Sequence, residues 1–546
     1  MPITEFLARN AAHYGDEVAL VEVNPEIKEL ERQKPDWKEM SLVERNFHSG
    51  YRKTLTWHAF DEQANQFANF LLNNGVTRDT KVAILMMNCI EWLPIYFGVL
   101  KSGAVVVPMN FRYSSEEIAY CLELADVDIL IFGPEFVSRM NAIQDQVKLS
   151  MQLYVGEPWE RPVYAKPYAL ASKCSPKPPM VSLRDADIAA IYFSSGTTGF
   201  PKAILHSHMA LVYSCEVEQA HHGQGRDDVF LCIPPLYHTG AKMHWFGSLL
   251  SGGRAVLLRG TQSRWILETA SWEGATVVWL LVPWAQDILD ALDSGELKLE
   301  DYDLESWRLM HIGAQPVPPS LIRRWKQRFP DHGYDTNYGL SESIGPGCVH
   351  LGVENIHKVG AIGVAGYGWQ TKIVGEDGNT VKQGGVGELA VRGDGVMLEY
   401  YKDPAATAAV LKDGWLHTGD MAREDEDGFI YLVDRKKDVI ITGGENLYPV
   451  QIEDFIRAHA KIKDVAVIGL SDLRLGEIAC AIVEIKPGMT CTEDEINEFC
   501  NELPRYKRPR KIIFAPVPRN ATGKIEKPKL RKQYAGGSVV EEQFSR

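Results

Sequence analysis

Short apolar runs at 82–87, 104–108 and 127–132 alternate with amphipathic stretches such as Ser115 to Leu124, and this rhythm leaves few architectures open. Strands that return parallel need a crossover, usually a helix, so the pattern implies a mostly parallel sheet covered by helices. It recurs through 229–284. Ser114 followed by Ser115, Glu116 and Glu117 supplies a hydroxyl cap and early acidic residues, which start a helix leading to Leu122. From 371 to 393, Gly-rich turns separate strand-like runs at 372–374 and 387–392, the signature of a small antiparallel region. At 546 residues one hydrophobic core is not enough, and at least two domains are expected. The charged segment 434–438 interrupts strand-like 429–433 and 439–442, so the boundary is set there. Beyond it, helices over 452–459 and 493–503 and strands over 465–469 and 479–485 make a small α/β domain. The mixed-charge stretch 25–53 is expected to be a surface insertion, and the last ten residues are expected to fray.

Apolar content of 45% and charged content of 24% are those of an ordinary globular chain. A net charge of −14 argues against general nucleic-acid binding, although a basic stretch such as 505–511 can hold a small polyanion. The nine cysteines show neither a Cys-x-x-Cys pair nor a Cys/His cluster at zinc spacing, so no disulfide framework and no structural metal site are implied. No signal-like N-terminus and no membrane-length apolar run occur, and a cytoplasmic setting is expected.

Between Tyr192 and Lys202 an apolar strand ends in Ser194, Ser195, Gly196, Thr197, Thr198, Gly199, Phe200 and Pro201. Two glycines permit close backbone approach to an anion, four hydroxyls donate, and Lys202 adds charge. The spacing is not that of a Walker loop, because two residues rather than four separate the glycines and proline precedes the lysine. Taken alone, such a stretch is also a common surface turn.

Five further motifs follow: Pro234 to His238, Tyr338-Gly339-Leu340-Ser341-Glu342, Trp415 to Asp420, Asp434 to Asp438, and Asn520-Ala521-Thr522-Gly523-Lys524. Together and in this order they resemble the acyl-adenylate-forming enzymes, over nearly the whole chain from about residue 81 to about residue 531. The resemblance implies an α/β protein: a large N-terminal domain (1–433) of mixed and parallel sheets flanked by helices, with a small β-barrel-like region, and a small mobile C-terminal α/β domain (434–546) hinged at 434–438. It implies ATP, Mg²⁺ and coenzyme A as cofactors. Ser194 to Lys202 hold the β- and γ-phosphates, Glu342 ligates Mg²⁺, and Tyr338 with Gly339 faces adenine opposite Gly313, Ala314 and Gln315. Ser341 stands near the α-phosphate, Asp420 and Arg435 reach the ribose, and Lys524 bridges carboxylate and α-phosphate. His238 lies between the acyl and nucleotide sites, Lys437 marks the hinge, and Gly443 and Gly444 wall a pantetheine tunnel.

Of two departures from the family pattern, Ala203 after the first motif slightly restricts the backbone after Lys202, and 399–402 in place of a Gly-Tyr-Trp-Asn sequence bears only on local packing. The acyl pocket is expected among 237–246 and 279–284 and around Gly313 and Gly339. Trp245, Phe246 and Trp284 would limit its depth and favour a medium-chain, alicyclic or aromatic acid, while Lys242 and His244 leave a dicarboxylate or hydroxy acid open. The expected activity is that of an ATP-dependent acid–CoA ligase. Rivals are an adenylating enzyme that loads a carrier protein, a luciferase-like oxygenase and a non-catalytic nucleotide or carboxylate binder. The partners are the small acid, ATP and CoA, with a homodimer left open.

Overall fold

The alternating runs become strands of two large sheets in a computed structural model that describes residues 1–32, 50–194, 201–313, 317–442, 445–519 and 525–534. One sheet has eight strands in the order Glu399–Tyr400, Ala203–Ser207, Ile188–Phe193, Val105–Pro108, Lys81–Leu85, Ile129–Phe132, Met151–Tyr154 and Lys166–Pro167. Ala203–Ser207 runs antiparallel to both its neighbours, and the other strands are parallel to one another. The other sheet orders Gly333–Asp335, Leu309–Gly313, Val277–Leu281, Val229–Cys232, Arg254–Leu258, Val18–Val23 and Arg52–Thr56, with only the last strand antiparallel.

Strand periodicity divides the core. Phe230, Ala255 and Val277 face one apolar cluster, and their neighbours Leu231, Val256 and Val278 face another. The first cluster also takes Ile84, Val106 and Tyr192 from the eight-stranded sheet, so the two sheets share one interior. Helices fill that interior. Trp92–Lys101 is buried at every residue, as a helix apolar on nearly all sides must be. The helix Ser115–Leu124 begins on the capping box foreseen from Ser114 and Glu117.

The Gly-rich region forms an antiparallel sheet of Gln370–Val374, Val386–Arg392, Trp415–Glu424 and Leu411–Lys412, with Ile430–Arg435 paired to Trp415–Glu424. After the turn Lys436–Asp438, a five-stranded sheet centres on Gly476–Ile485, flanked by Ile462–Asp472 and by Lys511–Phe514. The helix Pro449–Arg457 packs on it.

The start of the 25–53 stretch is a helix, Pro25–Arg32, which rests at the surface: Lys28 lies 3.3 Å over the ring of the exposed Trp272, and Glu29 accepts from the Trp265 indole at 2.9 Å. Residues 33–49 and the last ten lie outside the described residues. None of the nine cysteines is disulfide-bonded, and among the described residues no helix is long and apolar enough to cross a membrane.

Candidate active site

The glycine-hydroxyl motif begins where the strand Ile188–Phe193 stops. The Ser194 N–H donates to the Lys202 carbonyl, and the Lys202 N–H donates to Ser194 Oγ, both at 3.0 Å, so the loop is closed at its base by two hydrogen bonds. Ser195, Gly196, Thr197, Thr198 and Gly199 lie outside the described residues. So do Ala314, Gln315, Gly443, Gly444 and Lys524.

From that neck, Lys202 extends over the ring of Tyr400, with Nζ 4.5 Å from its centre, and the Tyr400 hydroxyl donates to Glu342 Oε1 at 2.8 Å. The backbone fixes the same arrangement. Tyr400 pairs in register with Ile204, Met397 N–H donates to the Glu342 carbonyl at 2.7 Å, and His206 Nε2 donates to the Ser341 carbonyl at 2.8 Å. Burial and the adjacent carboxylate both push the Tyr400 phenol upward, which keeps it a donor. Tyr400 is thus a site residue that the motifs missed. Its segment, expected to affect only local packing, joins the phosphate loop to the glutamate.

Four residues before Glu342, the buried Tyr338 donates its hydroxyl to Asp420 Oδ2 at 2.5 Å. Asp420 and Arg435 face each other across neighbouring antiparallel strands, with Nε 3.6 Å from Oδ1. Glu388 holds this corner. Its Oε1 accepts the Gly419 N–H at 3.0 Å, and its Oε2 lies 3.3 Å from both His417 Nδ1 and Lys436 Nζ. The strand register shifts between Tyr338 and Leu340, so Gly339 occupies a bulge. The short Tyr-Gly-Leu-Ser-Glu stretch therefore carries both halves of the site: a ring with a carboxylate–guanidinium pair at one end, a lysine and a second carboxylate at the other. Just beyond it the buried, branched Ile344 sits at φ +61°, a left-handed conformation that costs about 1–2 kcal/mol.

His238 caps the helix Thr239–Ser251, its Nδ1 accepting the Gly240 N–H at 3.2 Å. Its ring is 6.0 Å from that of Trp279, which stacks on His244 at 4.9 Å. A Cβ at Gly240 would meet the Trp279 ring at 2.7 Å, whereas one at Gly313 would have nothing closer than 3.6 Å. Trp279, rather than Trp245 or Phe246, is the bulky ring on this side. Trp245 and Phe246 turn into the helical core against Phe60 and Phe97, which corrects the expectation that they restrict the pocket. Lys242 and His244 are likewise buried in the interior. Lys242 donates to the Leu236 and His238 carbonyls, so neither residue offers a free group to a second substrate carboxylate. Lys437 lies in the turn between Ile430–Arg435 and Ile440–Thr442.

A carboxylate paired with an arginine beside an aromatic ring suits a nucleoside, and a lysine beside a second carboxylate suits polyphosphate with its cation. Comparison with known proteins identifies the family. Residues 8–401 match the AMP-binding enzyme family, and residues 451–524 match the AMP-binding enzyme C-terminal domain. A long-chain-fatty-acid–CoA ligase of Mycobacterium tuberculosis is 31% identical over 494 residues, covering 88% of this chain and 93% of that one. An indoleacetate–CoA ligase of Aromatoleum aromaticum is 31% identical over 480 residues, covering 87% and 92%. The crystal structure of an anthranilate CoA ligase in complex with anthranoyl-AMP shares the fold, with a TM-score of 0.85 at 24% identity and coverage of 98% and 97%. The chain belongs to the AMP-binding enzyme family, in its acyl-CoA synthetase branch.

Proposed function

We propose that the protein is an ATP-dependent acid–CoA ligase acting on a medium-sized, alicyclic or aromatic carboxylic acid in the cytoplasm. A carboxylate resists nucleophiles because its charge repels them and oxide leaves poorly. Transfer of AMP from ATP replaces that oxide with a phosphate, releasing pyrophosphate, and a thiol then displaces AMP to give the thioester. Two anions must meet in the first step, so cations and donors are needed where charge accumulates.

The observation that carries this reading is the continuous run from Lys202 through Tyr400 and Glu342 to Tyr338, Asp420 and Arg435. Lys202 and Ser194, with Ser195, Gly196, Thr197, Thr198 and Gly199, take the β- and γ-phosphates. Ser341 stands beside the α-phosphate. Tyr338, Gly339, Gly313, Ala314 and Gln315 enclose adenine, and Asp420 with Arg435 takes the ribose. Glu342 is a hard oxygen donor already oriented by Tyr400, so it fits Mg²⁺, which would supply positive charge to the phosphates when bound. Lys524 acts as a mobile charge on the reacting carboxylate and α-phosphate. His238 shields the adenylate from water, and Trp279 closes the acyl space at Gly240, which supports a compact acid over a long chain. For the second step the segment after 434–438 rotates about Lys437 and brings Gly443 and Gly444 to the pantetheine arm.

The test is pyrophosphate release across short, medium, long, cyclic and aromatic acids, with and without CoA, in wild type and Lys524→Ala. Release is expected to require an acid, to be greatest with compact cyclic acids and to fall by at least a hundredfold in the variant, with a thioester formed only when CoA is present. Acid-independent release at the same rate would make the protein a plain ATPase and end the proposal.

A further inference from the structure

Behind Trp279, five elements converge on a fully buried polar cluster. Glu218 and His222 come from the helix His208–His222, His244 from Thr239–Ser251, and His311 from Leu309–Gly313. Asp335 and His350 come from Gly333–Asp335 and Gly345–His350. All six side chains are inaccessible to solvent.

The hydrogen bonds fix which ring nitrogens carry protons. His222 Nε2 is 2.8 Å from Asp335 Oδ2, and His244 Nδ1 is 2.6 Å from the Gly240 carbonyl. A carboxylate and a carbonyl can only accept, so each of these nitrogens bears the hydrogen and the neutral ring keeps its lone pair on the other nitrogen. The His222 lone pair faces Glu218, whereas that of His244 lies between Glu218 and the Asn337 amide, which donates to it. Glu218 Oε2 is 3.4 Å from His222 Nδ1 and 3.1 Å from His244 Nε2. Asn337 Nδ2 satisfies the other oxygen, Oε1, at 3.0 Å and also stands 3.2 Å from His244 Nε2. Among the described residues, Glu218 Oε2, His222 Nδ1 and both nitrogens of His311 have no hydrogen-bond partner. His350 stands on the far side, its Nδ1 3.0 Å from Asp335 Oδ2 and its Nε2 3.5 Å from Glu218 Oε1, and these two carboxylates hold its ring protonated despite burial. Glu218 Oε2 and His222 Nδ1 still face each other in a sealed interior with no donor between them, which favours a cation there.

We propose that Glu218, His222, His244 and His311 form a buried site for a divalent transition-metal ion of the zinc class. Ligand atoms around tetrahedral Zn²⁺, with bonds of about 2.0–2.1 Å, stand about 3.3 Å apart, which is the spacing of Glu218 Oε2 from the two imidazoles. One ligand atom from each of His222, His244 and His311 lies within 4.8 Å of the others. Asp335 accepting from His222 and the Gly240 carbonyl accepting from His244 are the outer partners that orient metal-bound imidazoles. Imidazole-rich sites with one carboxylate suit Zn²⁺, Co²⁺ or Ni²⁺ rather than Mg²⁺, so this site is separate in chemistry and place from Glu342. Its role is structural: it ties the strand that leads to Gly313 to the helix that follows His238.

The experiment is metal analysis of the whole protein, independent of its activity. Protein produced in medium supplemented with zinc, and separately with cobalt, is dialysed against EDTA and measured by elemental analysis and native mass spectrometry. About one ion per chain is expected to remain. The cobalt form is expected to show visible ligand-field bands, and X-ray absorption of the zinc form is expected to show three imidazole nitrogens and one oxygen. His244→Gln and Glu218→Gln are expected to lower the retained metal by at least tenfold. Should both variants fail to fold, the wild-type absorption spectrum still decides. Folded wild type with less than 0.1 ion per chain after both supplementations, metal undiminished in folded variants, or an ion without imidazole ligands would each overturn the proposal.

Discussion

Tyr400 shows how much of the site lies in single contacts. Its ring supports Lys202 and its hydroxyl orients Glu342, so Tyr400→Phe keeps the first and removes the second. A hydrogen bond to a charged group is worth about 1.5–3 kcal/mol, and exposure of Glu342 to solvent offsets part of that. The variant is expected to lose about tenfold in acid-dependent ATP–pyrophosphate exchange at limiting Mg²⁺ and to recover at high Mg²⁺, with its melting temperature within a few degrees of wild type. An unchanged Mg²⁺ dependence would remove Tyr400 from the cation's surroundings. Asp420, Arg435, Tyr338 and Glu342 were legible in the sequence because each sits in a short motif. Tyr400 was not, because its importance comes from the antiparallel pairing of two strands nearly two hundred residues apart. The buried histidines were still less legible. Zinc spacing in sequence assumes ligands on one local unit, and here they arrive on separate helices and strands.

At the scale of elements, the period-two and capping signals held where local physics decides. Ser114 and Glu117 form their capping box, and the apolar runs became buried parallel strands. What failed was the direction of aromatic side chains on a buried helix. Thr239–Ser251 is apolar on several faces, so composition could not say that Trp245 faces Phe60 rather than the acyl space. The segment 434–438 carries its own chemistry. Asp434 is buried, accepts the Val450 N–H at 2.9 Å, and lies near Lys527 and Glu453. Burial raises its pKa to about 6. A carboxyl whose folded pKa lies above its unfolded value of about 4 contributes stability that is complete below that value and is lost as pH rises through 6, by up to about 3 kcal/mol. The difference in denaturation free energy between wild type and Asp434→Asn, followed on the helix Pro449–Arg457, is therefore expected to move in favour of the variant between pH 4 and pH 7.5. A difference that is flat with pH would mean the carboxyl is ionised throughout.

For the whole molecule, the proposed division at 434–438 rests on a change of sheet. Strands before it pair with the antiparallel sheet that holds Asp420, and strands after it build a separate sheet around Gly476–Ile485. Lys437→Pro fixes φ in the intervening turn. Adenylate formation is expected to stay within about threefold of wild type while thioester formation drops more than tenfold, because under the proposed reading only the second step requires rearrangement. Equal slowing of both half-reactions would move the hinge elsewhere. The hydrogen bond between Tyr338 and Asp420 has a consequence for selectivity. The carboxylate proposed for the sugar is engaged by the ring proposed for the base. Under the proposed reading, entry of a nucleotide is an exchange of partners rather than a simple gain. A ribose with both vicinal hydroxyls can replace what the phenol gave up, and a 2′-deoxy sugar repays only half. Discrimination between the two then comes from the contact that the sugar has to replace.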